Sequence, residues 1–401
     1  MNSTLSNKRV LFLAGRDFLS QNCGRAMVLK TYLEIFVDLG FNVDLVVFGD
    51  VESIDKYQDY EGVVVSSTGK KNIRNMISVL SSLLLGTSVN RGFFRHYSIP
   101  KSRFSIDYDY VYVDSIRLVD QGRKISDQVI VDLDDFYSRR YRQMVSRGIR
   151  LDILGYWGDG LPIFIRKLGN LFAFLLLKRE ARILEAEECL VPSLSKHTFL
   201  VSKSEAKFLS RKDNQNVADM PMAISESPIS WSKKVVDNRM SMCFVGSPKY
   251  QQNYQSLLSA SVILGREEFK WCKLFVAGDI SGVNLGEFSE NIEFVGFVED
   301  VHDFICGHDC YFSPIDNGTG IKTKNLEAAS CGIPIVTTEI GVEGTDLAQF
   351  CYLIDGVSGG LAEDVIGFVN DFSVETSMRQ MEYISKEFSF ESCKLKLAKI
   401  L

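Results

Sequence analysis

Apolar residues in this chain come in short unbroken runs separated by glycine, aspartate and polar segments. In the first half the runs are Val10–Ala14, Phe41–Phe48, Tyr110–Val113 and Val129–Leu133. Each is too short for a core helix, and runs of this kind suit strands covered on both faces, as in parallel sheets. Between the first two lies the loop GRDFLSQNCGRA, then a helical pattern predicted over Met27–Leu39 that Gly40 closes. The second half repeats the rhythm with MCFVGS, KLFVAG, IEFVGF, CYFSPI and IPIVTT. These runs predict a second open parallel sheet beginning near Ser241. Residues 204–240 are polar and irregular, which suits a linker. The fold class expected is α/β, with two Rossmann-like, doubly wound parallel-sheet domains over 1–225 and 241–385. Ligands of such sheets bind at the carboxyl ends of the strands, so a central cleft between the domains is expected.

Length agrees with two cores, since 401 residues exceed what one usually organises. Charge changes the picture more than composition does. The net charge of −6 conceals a basic first part, with 31 Lys+Arg against 26 Asp+Glu up to residue 225, and an acidic remainder with 14 against 25. The basic part suggests an anionic acceptor or a membrane surface, and the acidic part argues against nucleic acid. Nine scattered cysteines read as reduced thiols and point to a cytoplasmic protein. The opening run KRVLFLAGRD is too short for a signal peptide, and Leu171–Leu177 is too short to span a bilayer. A soluble or at most peripheral protein is expected.

Candidate chemistry concentrates in NGTGIKTKNLEAASCGIP, residues 317–334. CYFSPI supplies a strand, Asp316–Gly320 its exit loop, Ile321–Cys331 a helix and Gly332 the stop. Free N–H groups and the positive end of the dipole make such a junction an anion site. Gly318 and Gly320 permit close approach, and Lys322 or Lys324 adds charge. The stretch lacks the GxxxxGK[ST] of a Walker loop. Glu327 adds a bidentate acceptor for a vicinal diol such as ribose, so loop and glutamate together describe a nucleoside diphosphate site. A capped helix with a solvated glutamate reads the same letters.

The longer run PIDNGTGIKTKNLEAASCGIPIVTTEIGVEG resembles the donor-site signature of GT-B glycosyltransferases, in particular family 4 and its group 1 relatives. Pro314, Gly318, Gly320, Lys322, Lys324, Leu326, Glu327, Ala328, Gly332, Pro334, Thr337, Gly341, Glu343 and Gly344 match in register. The resemblance implies an enzyme that moves a sugar from a nucleotide diphosphate sugar to a hydroxyl on a glycan or lipid-linked glycan, with retention and no obligatory metal. It implies that Gly318, Thr319, Gly320, Ile321 and Lys322 lie by the diphosphate and sugar, and that Glu327 binds the ribose. Phe297 and Val298 would meet the base, and Ser247 and Lys249 the phosphates. The closing segment 386–401 would be a helix returning to the first domain. Thr319 departs from the family, because it stands where the first glutamate of the EX7E motif is expected. A non-catalytic, GT-B-like binding subunit is the alternative that this departure suggests.

Within the first domain, VIVDLDDFYSRRY falls where relatives carry a histidine, and Asp134 aligns best with it. A carboxylate there could accept the acceptor's proton or stabilise positive charge on the sugar. Equally, Asp132, Asp134 and Asp135 could serve the following helix and its arginines. Gly24 and Arg25 match the family's early glycine loop near phosphates and acceptor, though a plain strand-to-helix turn explains them too. Three further readings are open. VIVDLDDF resembles the DxD of haloacid dehalogenase-like phosphatases. His302, Cys306, His308 and Cys310 have spacings that could suit zinc. Basic and aromatic residues over 90–104 and 161–182 could rest on an anionic membrane.

Overall fold

The computed structural model describes residues 8–21, 23–52, 54–68, 73–95, 99, 107–146, 163–211, 215–232, 239–355 and 362–401. It divides into two compact units, Met1–Met222 with Leu397–Leu401, and Ala223–Lys396.

The first unit holds a seven-stranded sheet of β1 (Arg9–Ala14), β2 (Asn42–Val47), β3 (Val63–Ser67), β4 (Tyr110–Asp114), β5 (Val129–Asp132), β6 (His197–Leu200) and β7 (Val217–Asp219). Its order is β3-β2-β1-β4-β5-β6-β7, and every pairing is parallel. The apolar runs form these strands because helices cover both faces: β4 and β5 are buried at every position. One face packs Leu11, Leu13, Val111, Val113, Val129 and Val131 into a single core. Tyr110 Oη donates to the carbonyl of Leu401 at 2.7 Å, which fixes the chain terminus within this unit.

The second unit holds β8 (Met240–Val245), β9 (Cys272–Ala277), β10 (Ile292–Gly296), β11 (Cys310–Ser313), β12 (Ile335–Thr337) and β13 (Cys351–Leu353). The order is β10-β9-β8-β11-β12-β13, again all parallel. Both sheets reverse direction of winding beside their first strand, between β1 and β4 and between β8 and β11. Those are the points where ligands enter doubly wound sheets.

The segment read as a linker is partly structured, with a helix over Lys203–Ser210 and β7 inside it. Ser202 caps that helix by accepting from Glu205 N–H, and Leu209 is fully buried beneath it. A short element with few apolar residues escapes a periodicity reading because its burial comes from the sheet edge. Residues 233–238 of the same segment lie outside the described residues.

Candidate functional site

In the second unit β11 ends at Ser313, and residues 314–322 lead into the helix Thr323–Ser330. Gly318 has φ +103°, and a Cβ there would lie 2.5 Å from Gln252 Nε2. Only glycine meets both constraints. Gln252 Nε2 also donates to the carbonyl of Asn317 at 2.9 Å, pinning the loop to the first turn of the helix Gln251–Leu264. Lys322 is buried, and its ammonium donates to the carbonyls of Gly320 at 2.6 Å, Thr319 at 3.3 Å and Gly318 at 3.4 Å. The lysine therefore braces the loop and adds positive charge beneath it. No side chain caps the helix Thr323–Ser330, so its N-terminal N–H groups and dipole face the loop.

Glu327 lies one turn further on, with Lys324 Nζ 3.0 Å from its Oε2 and its side chain 15% exposed. The helix is locked from beneath by Asn325. Its Nδ2 donates to the carbonyl of Gly341 at 2.8 Å and to Thr337 Oγ1 at 3.2 Å, and its Oδ1 accepts from Ser313 Oγ at 2.8 Å. One amide thus ties the helix to the ends of β11 and β12 and to the GVEG turn. On the other side of β8, Ser247 Oγ donates to the carbonyl of Asp279 at 2.6 Å, and the Lys249 ammonium pairs with the Asp279 carboxylate. That lysine and the Ser281 hydrogen bonds hold Asp279 below the usual carboxylate range. Beyond β10, Phe297 is 82% exposed and Val298 is half-buried.

In the first unit the carboxyl ends of β1, β4 and β5 converge on Arg25, the second residue of the helix Gly24–Asp38. Its Nη2 meets Asp114 Oδ1 at 2.7 Å, its Nη1 meets Asp132 Oδ2 at 2.8 Å, and Asp134 Oδ1 lies 3.7 Å from Nη1. Gly15 N–H donates to the second oxygen of Asp114 at 2.8 Å, and the Tyr112 hydroxyl donates to Asp132. Burial opposes ionisation of Asp114, yet Arg25, Arg16 and the hydrogen bonds hold its carboxyl below the usual range. Asp134 is different. Its φ of +65° is uncommon for a residue with a side chain, and its own N–H donates to Asp132 Oδ1 at 3.0 Å. Burial raises its pKa to about 6 against the pull of Arg25 and Arg140.

Residues 239–371 match the family model described as glycosyl transferases group 1. The likeness within the second unit is to group 1 glycosyl transferases.

Over its whole length the chain shares its fold with solved structures of low sequence identity. Anabaena HepE, solved in complex with UDP and glucose, has a TM-score of 0.60 at 12% identity, with 98% of this chain and 99% of HepE covered. TarM has a TM-score of 0.62 at 11% identity and 98% coverage of both chains. WaaG, a glycosyltransferase involved in lipopolysaccharide biosynthesis, has 0.55 at 13% identity, covering 98% of this chain and 99% of WaaG. The fold is GT-B. A search of curated proteins gave no match.

The second unit gathers Gly318–Lys322 and Glu327 around one strand-to-helix junction, while Ser247 and Lys249 stand at the end of neighbouring β8. Gly24 opens its helix in the first unit, but Arg25 differs from a phosphate-facing cation: its guanidinium is turned inward, because two buried carboxylates need it. The phosphatase reading fails on Asp132, which is 1% exposed and already bonded to Arg25 and Tyr112, leaving it unable to act as a nucleophile. The spacing suggestive of zinc is dispersed by the fold. Cys306 Sγ donates to the carbonyl of Ile229, His308 Nδ1 bonds the carbonyl of Phe304 and Cys310 is in the core. Among the described residues no three metal-ligating side chains cluster. Of the basic and aromatic tracts, residues 96–98, 100–106 and 161–162 lie outside the described residues. Asn325 went unnoticed in the sequence; an amide beside Leu326 on the buried side of a short helix is the signal that could have found it.

Proposed function

We propose that the chain is an enzyme transferring a sugar from a nucleoside diphosphate sugar to a hydroxyl acceptor of a surface or cell-wall glycan, with retention of configuration. The observation that carries this reading is the junction at β11, where a glycine loop, an uncapped helix N-terminus and Glu327 lie within ten positions of one another inside the stretch matched by the group 1 model. The diphosphate would rest on the loop and the N–H groups of Thr323 and Lys324, the ribose diol on Glu327, and the base beside Phe297 and Val298. Ser247 and Lys249 would approach the phosphates from β8. The donor set there is backbone N–H, hydroxyl and ammonium, which suits an anion held without a resident metal. HepE, of the same fold, was solved with UDP and glucose, and WaaG acts in lipopolysaccharide biosynthesis; both support the choice of donor class and acceptor class.

Asp134 is the group we assign to the acceptor proton or to the developing positive charge on the sugar. A strained backbone and a carboxyl whose pKa is raised to about 6 mark it among its neighbours. The deciding experiment is a thermal-shift screen against UDP, GDP, ADP and CMP and their sugars, followed by assay of nucleotide release from the sugar nucleotide that stabilises most. Stabilisation without transfer or slow hydrolysis would favour a binding subunit, the reading that Thr319 keeps open.

A further inference from the structure

The first unit carries a helix built inside out. Along Ile73–Leu84, Ser78 and Ser82 are fully buried, while Ile77, Leu80, Leu83 and Leu84 stand in solvent on the opposite face. Soluble domains place such a stripe against the core. The reversal has a packing cause in the neighbouring helix Val89–Phe94. Gly92 approaches so closely that a Cβ there would lie 2.0 Å from Ser82 Oγ, and Ser78 Oγ donates to the Gly92 carbonyl at 2.6 Å. Only small side chains fit that contact, so the bulky ones point outward.

The apolar face continues beyond the helix. Leu84 is 89% exposed and Leu85 70%. Arg179, on the helix Ile163–Leu194, donates from Nη2 to the carbonyls of Ser82 at 3.1 Å and Thr87 at 3.0 Å, which holds that helix beside the two leucines. About one turn earlier Phe174 and Leu175 are exposed. Lys178 and Arg182 follow Phe174 at helical spacings of four and eight, are exposed, and have no ion-pair partner among the described residues.

We propose that this patch is a docking surface for an anionic bilayer. Ile77, Leu80, Leu84, Leu85, Phe174 and Leu175 enter the headgroup region, and Lys178 and Arg182 meet lipid phosphates. Apolar side chains bordered by cations, on helices lying along a surface, are what interfacial binding requires. Among the described residues no helix is long and apolar enough to cross a membrane, so the mode is interfacial. The flanking charge selects this occupant, because a second copy would bring two more cations of the same sign to the interface.

The test is co-sedimentation of the full chain with vesicles of phosphatidylcholine alone or mixed with phosphatidylglycerol. The wild type should bind the mixed vesicles and release them at high salt. Leu80→Glu with Leu84→Glu should lower the bound fraction on the order of ten-fold, and Lys178→Glu with Arg182→Glu should remove the preference for anionic lipid. These side chains are exposed, and circular dichroism with a thermal midpoint confirms that each variant folds. Absence of wild-type binding, or variants that bind like wild type, would overturn the proposal. So would a change of oligomeric state in the leucine variant with vesicle binding intact, which would make a second copy the occupant. No nucleotide sugar enters the measurement, so its result is independent of the donor reading.

Discussion

Arg25 Nη1 stands 3.7 Å from Asp134 Oδ1, near enough to attract the carboxylate yet beyond a direct hydrogen bond. Arg25 is already bonded to Asp114 and Asp132, so its pull on Asp134 only partly offsets burial. Because the pKa in the folded protein is raised to about 6, transfer that needs the carboxylate should rise with pH through about 6. Asp134→Asn should lose that limb and lower kcat by on the order of a hundred-fold, with donor affinity retained. A pH–rate profile of both proteins checks this, and wild-type turnover in the variant would remove Asp134 from the mechanism.

Stability should respond with the opposite sign. Between the ordinary carboxylate value of 3.8 and about 6 the folded chain holds the Asp134 proton more tightly than the unfolded chain. The contribution of this group is therefore present at low pH and declines as pH rises across that window. Urea unfolding at several pH values should show a shallower decline for Asp134→Asn than for the wild type.

Removing the guanidinium should be costly in a different way. Arg25→Met leaves Asp114 and Asp132 buried without their cation, for an expected loss of about 3–5 kcal/mol. Arg25→Lys should restore little, since an ammonium cannot reproduce the planar fork that joins both aspartates. Denaturant midpoints of the two variants measure the difference, and equal recovery by lysine would count against the fork.

For the donor, Glu327→Ala should weaken nucleotide binding by about 1.5–3 kcal/mol, the scale of hydrogen bonds to a charged group. Acceptor KM should stay unchanged. Titration calorimetry with the stabilising nucleotide supplies the first value and steady-state kinetics the second; similar losses in both would argue against a ribose role.

Gly318→Ala tests the loop itself. The substitution places a methyl group against Gln252 at a positive φ, costing about 1–2 kcal/mol in backbone strain alone. Nucleotide affinity should fall, while the unfolding transition of the first unit should not move. A variant that binds nucleotide like wild type would separate loop geometry from the site.

Much of the proposed donor site was legible because it is local. Gly318, Lys322 and Glu327 lie within ten positions of one another, and a strand-to-helix junction needs only neighbouring residues to define it. The strands too were readable from runs such as Val10–Ala14, since burial on both faces leaves an unbroken apolar signature. β13 and β7, three residues each, were not, because edge strands that short carry no pattern of their own.

By itself, the sequence determined the strands of two parallel sheets and the chemistry of one loop, both written in short local runs. Tertiary structure alone decided what Arg25 does, since its partners stand 89 and 107 positions away and only the convergence of β1, β4 and β5 brings them together. The same holds for the helix Ile73–Leu84. Its pattern gives an amphipathic helix of either orientation, and the close approach of Gly92 to Ser82 is what turns the leucines outward.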